Sequence, residues 1–162
     1  MVNTKQMNTI GGNQSNISSE KLEERSPGCF YYNSKNTTDI DNLIIDELLF
    51  LLESKDLKLG RICLHKENSD LIQAMIIALH HDYEVKTHVH NGPEYLKIIR
   101  GELIISEYTN GGNKLDHVLN PNSLILLGLS EGVKHSVKSK SNWSVFLEVG
   151  LGPFNKNKTI YL

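Results

Sequence analysis

The chain has only two cysteines, Cys29 and Cys63, and neither stands in a C-x-x-C pair. That is too few, too far apart, to read as a disulfide framework, so reduced thiols and a cytoplasmic setting are the expectation. Long apolar runs are missing as well. The first thirty residues hold no apolar signal core, and the most apolar later stretch, Leu43 to Leu52, is broken by Asp46 and Glu47. Neither export nor membrane spanning is supported. Basic clusters are equally scarce: the formal net charge is -2, both signs are mixed throughout, and no concentration of Lys and Arg exceeds residues 134–140. Nucleic acid is therefore not an expected partner. No internal repeat of fixed period is present.

What the chain does have is one core's worth of apolar residues, 39% of 162, which suits a single domain. Residues 1–27 are dominated by Asn, Ser, Thr, Gln, Lys and Glu. Such a segment buries too little surface to offset its ordering entropy and reads as a mobile tail. Residues 28–58 read as an N-terminal strand and helix. Cys29–Tyr32 is an aromatic run suited to an edge strand that pairs with another subunit, which makes a homodimer the expected assembly. From Thr38 to Ser54, Ile40, Leu43, Ile44, Leu48, Leu51 and Leu52 recur at three- and four-residue steps, predicting a helix capped by Thr38 with one apolar stripe.

From Leu59 onward the pattern changes to short runs rich in Ile, Leu and Val, separated by Asn91-Gly92-Pro93, Gly101, Asn110-Gly111-Gly112, Asn120-Pro121-Asn122 and Glu131-Gly132. Residues 59–162 thus read as eight or nine strands with no helix between them, the layout of a small antiparallel sandwich or barrel.

The chemistry lies in the spacing His88-x-His90-x3-Glu94-x6-Gly101, followed later by His135. Strand side chains alternate faces, so His88 and His90 point the same way. The Asn91-Gly92-Pro93 turn then lets Glu94 face them from the next strand. Gly101 suits a tight turn, and His135 stands at the head of a later strand, so four ligands from two hairpins converge. Three imidazoles and a carboxylate suit a borderline divalent ion such as Fe, Mn, Zn, Ni or Co, and four ligands leave an open position for water or substrate.

Around these, Arg61, Cys63 and His65 share one strand face by alternation, and the sequence leaves open whether that face lines the barrel. If it does, Arg61 is an anchor for an anionic ligand and His65 is a candidate acid/base, a partner that orients a metal ligand, or an extra ligand. Glu148, on the last strand with Ser144 and Phe146, is a candidate general base, and its face is likewise undetermined. Gln73 shares a face with Met75 and Ile77 and is a substrate-binding candidate, core packing being its simpler role. By parity Leu96 and Ile98 wall the cavity, and Lys97 faces away. Trp143 and Tyr161 are assigned to packing or an interface, and Cys63 to apolar filling.

His88-x-His90-x3-Glu94-x6-Gly101 resembles the first signature of the cupin superfamily, with Asp82 where that signature opens with Gly. The run from Ser130 to His135 resembles the second, with Ser130 in place of Pro and Ser139 in place of Asn. More narrowly, the chain is similar to the WbuC family of small cupin metalloproteins from Thr38 to the Gly150-Leu151-Gly152-Pro153-Phe154 ending. This likeness includes Arg61-x-Cys63-x-His65, Asp70, Gln73 and Leu147-Glu148, with Cys63 where the family has Asn. The resemblance implies an all-β cupin jelly-roll barrel with the helix packed outside. It also implies a divalent metal held by His88, His90, Glu94 and His135, and a place among enzymes that build surface polysaccharide. A metal-dependent isomerase or epimerase of a sugar-derived substrate, such as a nucleotide sugar, is the first functional expectation. An Fe(II)-dependent dioxygenase and a non-catalytic sugar-binding or regulatory module stand as alternatives.

Overall fold

The structure is a computed structural model and describes residues 21–33, 38–109, 111–153 and 159–161. Among them, strands β1 (Leu22–Ser26), β2 (Cys29–Tyr32), β3 (Leu59–Cys63), β4 (Ile72–His80), β5 (Glu84–His90) and β6 (Glu94–Arg100) precede β7 (Leu103–Tyr108), β8 (Lys114–Leu119), β9 (Leu126–Leu129), β10 (Lys134–Ser139), β11 (Trp143–Leu151) and β12 (Thr159–Tyr161), with helix α1 (Asn42–Ser54) between β2 and β3. They form a seven-stranded sheet in the order β1-β2-β3-β4-β11-β6-β9 and a five-stranded sheet in the order β12-β5-β10-β7-β8. This is a jelly roll with one helix laid outside it, as the cupin resemblance implied.

Strands β4 and β11 are covered on both sides, which explains why their sequences read as nearly continuous apolar runs. Ile76, Ala78, Trp143 and Val145 face outward, onto Ile44, Ile45, Leu48 and Leu52 of α1. Ile77, Leu79 and Phe146 face inward, onto Leu96, Ile98, Leu103 and Ile105. Each buried aliphatic or Phe side chain contributes about 1.5–3 kcal/mol of transfer free energy, so the helix is fixed to the sheet as firmly as the barrel is closed. Close approach of α1 depends on Gly60, where an added Cβ would collide with the Leu52 side chain.

Several expectations are corrected. The helix begins at Asn42, with Asp41 as its cap: the Asp41 carboxylate accepts from the Ile44 N–H at 3.0 Å. Ile40, one residue before that cap, packs in the same cluster as Ile45, so the apolar period ran on past the helix start without being helical. The segment read as a tail contains β1, paired antiparallel with β2, and residues 1–20 lie outside the described residues. β2 is also paired in parallel with β3, so Cys29–Tyr32 is an interior strand and does not offer an edge to a second subunit. β1 and β2 extend the same sheet as β3, rather than standing apart from the barrel. β12, which pairs with β5, was not anticipated.

Candidate metal centre

The ligand set is assembled by register. In the antiparallel β10–β5 ladder His135 is the direct partner of His88, and His90 follows on the same face of β5. The ring centroids of His88 and His135 are 4.2 Å apart, those of His88 and His90 4.7 Å. One ring nitrogen from each of His88, His90 and His135 lies within 4.8 Å of the others. Glu94 reaches them from β6 in the opposite sheet: its Oε1 is 2.8 Å from His135 Nε2, and its Oε2 is 3.4 Å from His90 Nε2. His88, Glu94 and His135 are buried; His90 is partly open.

Main-chain carbonyls fix the ring orientations. His88 Nδ1 is 2.7 Å from the Lys86 carbonyl and His135 Nδ1 is 3.1 Å from the Val133 carbonyl. A carbonyl can only accept, so each Nδ1 carries a proton, and on a neutral ring Nε2 then presents a lone pair to the interior. This is how metal-binding imidazoles are held by their outer partners. Glu94 Oε1, although 2.8 Å from His135 Nε2, makes no hydrogen bond of acceptable geometry. At that separation the pair is bridged by a cation, either a proton on His135 Nε2, which the Glu94 carboxylate favours, or a metal ion beside both, and a borderline divalent metal fits an N3O donor set.

For two of the three imidazoles the electrostatics favour the neutral ligand form. Burial pushes His88 down to about 4, with the neighbouring imidazoles adding to the effect, and burial also lowers His90. Both are neutral ligands near pH 7. For His135 burial acts downward, but the Glu94 carboxylate outweighs it and the net shift is upward. Glu94 is shifted downward, because the imidazoles around it outweigh the effect of burial.

The ligand atoms open into a cavity of about 500 Å³ whose walls include Arg61, Gln73, Met75, Glu148 and Tyr161. Arg61 pairs with Ile77 of β4, whose side chain is in the barrel core, so the Arg61 face of β3 is the inner one. Phe146 likewise lies in that core, and Glu148, two residues on, shares its face. Burial, then the charge of Glu94, raises the Glu148 carboxyl to about 8. Gln73 lines the cavity, but its Nε2 donates to the carbonyls of Asp70 at 2.9 Å and Glu67 at 3.3 Å, so its amide fastens the loop before β4.

His65 is not brought to the site. β3 ends at Cys63, and the His65 ring packs edge-on to Tyr31 with Nδ1 3.1 Å from the Ala74 carbonyl. Alternation was extended to it beyond the end of the strand. Cys63 is buried, with its Sγ 3.9 Å from that of Cys29, and burial followed by Cys29 pushes its thiol up to about 12. Leu96 and Ile98 are buried in the barrel core beneath the cavity rather than lining it. Tyr161 was missed: it is the direct partner of His88 across β12–β5, with ring centroids 5.7 Å apart. The only sequence signal for it was the β-prone run Thr159-Ile160-Tyr161. A second group of candidate ligands, His80, His81 and Asp82, is mostly exposed, and the Asp82 N–H already donates to His80 Nδ1 at 3.2 Å.

Comparison with known proteins supports the fold. A family model described as a domain of unknown function, DUF6016, matches residues 58–119. No curated protein matches the chain. Among solved structures, the oxalate decarboxylase of Bacillus subtilis at pH 4.6 superposes with a TM-score of 0.51 at 21% identity, over 58% of this chain and 24% of that one. A structure of the same enzyme concerned with its Mn(II) centres gives 0.50 at 20% identity, over 58% and 25%. The chain therefore spans about a quarter of the length of the structures it matches. The likeness establishes the fold, a cupin jelly roll, whose His triad can hold a metal ion.

Proposed function

We propose that this protein is a metal-dependent cupin that acts on a small sugar-derived molecule, such as a nucleotide sugar, in surface polysaccharide biosynthesis, as its resemblance to the WbuC family implies. The observation that carries the metal reading is the carbonyl tether on Nδ1 of both His88 and His135, which leaves Nε2 of each neutral ring as the donor for an ion shared with His90 and Glu94. His88, His90, Glu94 and His135 are the ligands in this reading. A bound divalent ion would supply Lewis-acid polarisation of a substrate oxygen. Glu148, whose carboxyl burial pushes upward, lines the same cavity and is the group that would hold or deliver a proton there, as isomerisation or epimerisation requires.

His65 lies away from the cavity, so the imidazole expected to share proton transfer with Glu148 is not beside it. That observation favours, as a second reading, a sugar-binding or regulatory module in which the metal orders the barrel. The deciding measurement is metal content of protein purified without nickel affinity, for the wild type and for His88→Ala and His135→Ala, followed by turnover of nucleotide sugars. Wild-type protein that takes up no divalent ion would remove both readings. Metal-dependent ligand binding without turnover would select the second. The homodimer expected from the sequence is tested by light scattering.

A further inference from the structure

Of the three arginines in the chain, two are spoken for. Arg100 pairs with Asp46 at 2.6 Å, and Arg25 pairs with Glu23 at 3.5 Å. Arg61 lines the cavity, and among the described residues no carboxylate lies within ion-pair distance of it. An unpaired guanidinium on the wall of a partly apolar pocket is a rigid fork for a carboxylate or phosphate. Opposite it, Tyr161 comes from the other sheet, faces inward beside His88, and keeps 66% of its surface exposed.

We propose that the ligand of this cavity is a ring-bearing oxyanion, its anionic group held by Arg61, its ring laid against Tyr161, and an adjacent oxygen directed to the metal position. This rests on the metal reading above and adds the substrate class to it. Charge balance supports it. A divalent ion with three neutral imidazoles and one carboxylate carries a single positive charge, Arg61 adds another, and ionisation of Glu148 would still leave the cavity net positive. Size supports it too. About 500 Å³ is more than a two-carbon acid fills, and it lies in the range of pockets that enclose a ring with substituents. Tyr161 offers a flat apolar face whose burial is gained only when a ring covers it.

The test uses the full-length protein loaded with Co(II), whose visible spectrum reports ligand binding, and four probes. Glucuronate has ring and charge, methyl glucoside ring without charge, lactate charge without ring, and mandelate an aromatic ring with charge. Glucuronate or mandelate should bind at least about tenfold tighter than both lactate and methyl glucoside, and which of the two wins identifies the ring as sugar or aryl. Arg61→Gln should abolish the advantage over methyl glucoside, and Tyr161→Ala the advantage over lactate. Tyr161→Phe should keep it, with cobalt content unchanged in all three variants. Lactate binding as tightly as the ring-bearing acids, or Arg61→Gln binding them normally, would overturn the proposal while leaving the metal reading intact. Failure to load cobalt would instead sink the metal reading. The same four probes scored by thermal shift on metal-free protein would then decide the charge-and-ring preference by the same criteria.

Discussion

His135 sits directly across the β10–β5 ladder from His88, and the two rings take the same posture, each donating Nδ1–H to the carbonyl two residues upstream of itself. The backbone thus orients both rings, and ligand nitrogens of the two lie within 4.8 Å of each other. Removing either ring should cut divalent-metal affinity by about 100-fold or more, since even outer partners of such ligands are worth 10–100-fold. Competition with a chromophoric chelator measures it. Unchanged affinity in His135→Ala would mean the ion binds elsewhere.

Glu148 provides a test through proton linkage. Its folded pKa of about 8 stands above the ordinary 4.5, so between those values the native state holds a proton that the unfolded chain has lost. This group's contribution to stability then falls as pH rises from about 4.5 to 8. In metal-free protein, Glu148→Gln should be more stable than wild type near pH 8 and gain little at pH 4, as read from Tm across pH in chelator.

Asp70 shows the opposite sign. Its Oδ2 accepts from the N–H groups of Lys66 at 2.9 Å and Glu67 at 3.2 Å, and those bonds hold its carboxyl below the usual 3.8. The stabilisation is present above that pKa and lost as pH falls through the lowered value. Asp70→Ala should lower Tm at pH 7, with the difference shrinking toward pH 3. A pH-independent difference would assign the loss to packing.

Leu48 on α1 is fully buried between helix and sheet. Leu48→Ala should cost about 2–5 kcal/mol in urea unfolding followed by Trp143 fluorescence, with metal stoichiometry unaltered. Gly60→Ala should cost about 1–3 kcal/mol by overpacking against Leu52. Since the clash is with that one side chain, the Leu52→Ala background should absorb most of the Gly60 penalty, and additive losses would count against it.

Much of the site was legible because β5 alternates regularly from His88 to His90 and β6 from Glu94 onward, even though the β10–β5 register shifts between His135 and Val137. Alternation placed His88 and His90 on one face, and the turn before Glu94 brought the opposing sheet within reach. His65 misled for the converse reason: alternation has no force beyond Cys63, where β3 ends and the loop tied by Asp70 begins. The inward faces of β3 and β11 were undetermined because β11 is buried on both sides, so hydrophobicity could not distinguish barrel from helix. Tyr161 depended on long-range register between β12 and β5, which no local pattern encodes.

The backbone, through the carbonyls of Lys86 and Val133, sets the bearing of two ligand rings. Substitutions elsewhere on the cavity wall can therefore change which molecule is accepted without loosening the grip on the ion. The scaffold separates holding a cation from choosing a guest, and a lineage could exchange the second many times over while inheriting the first unchanged.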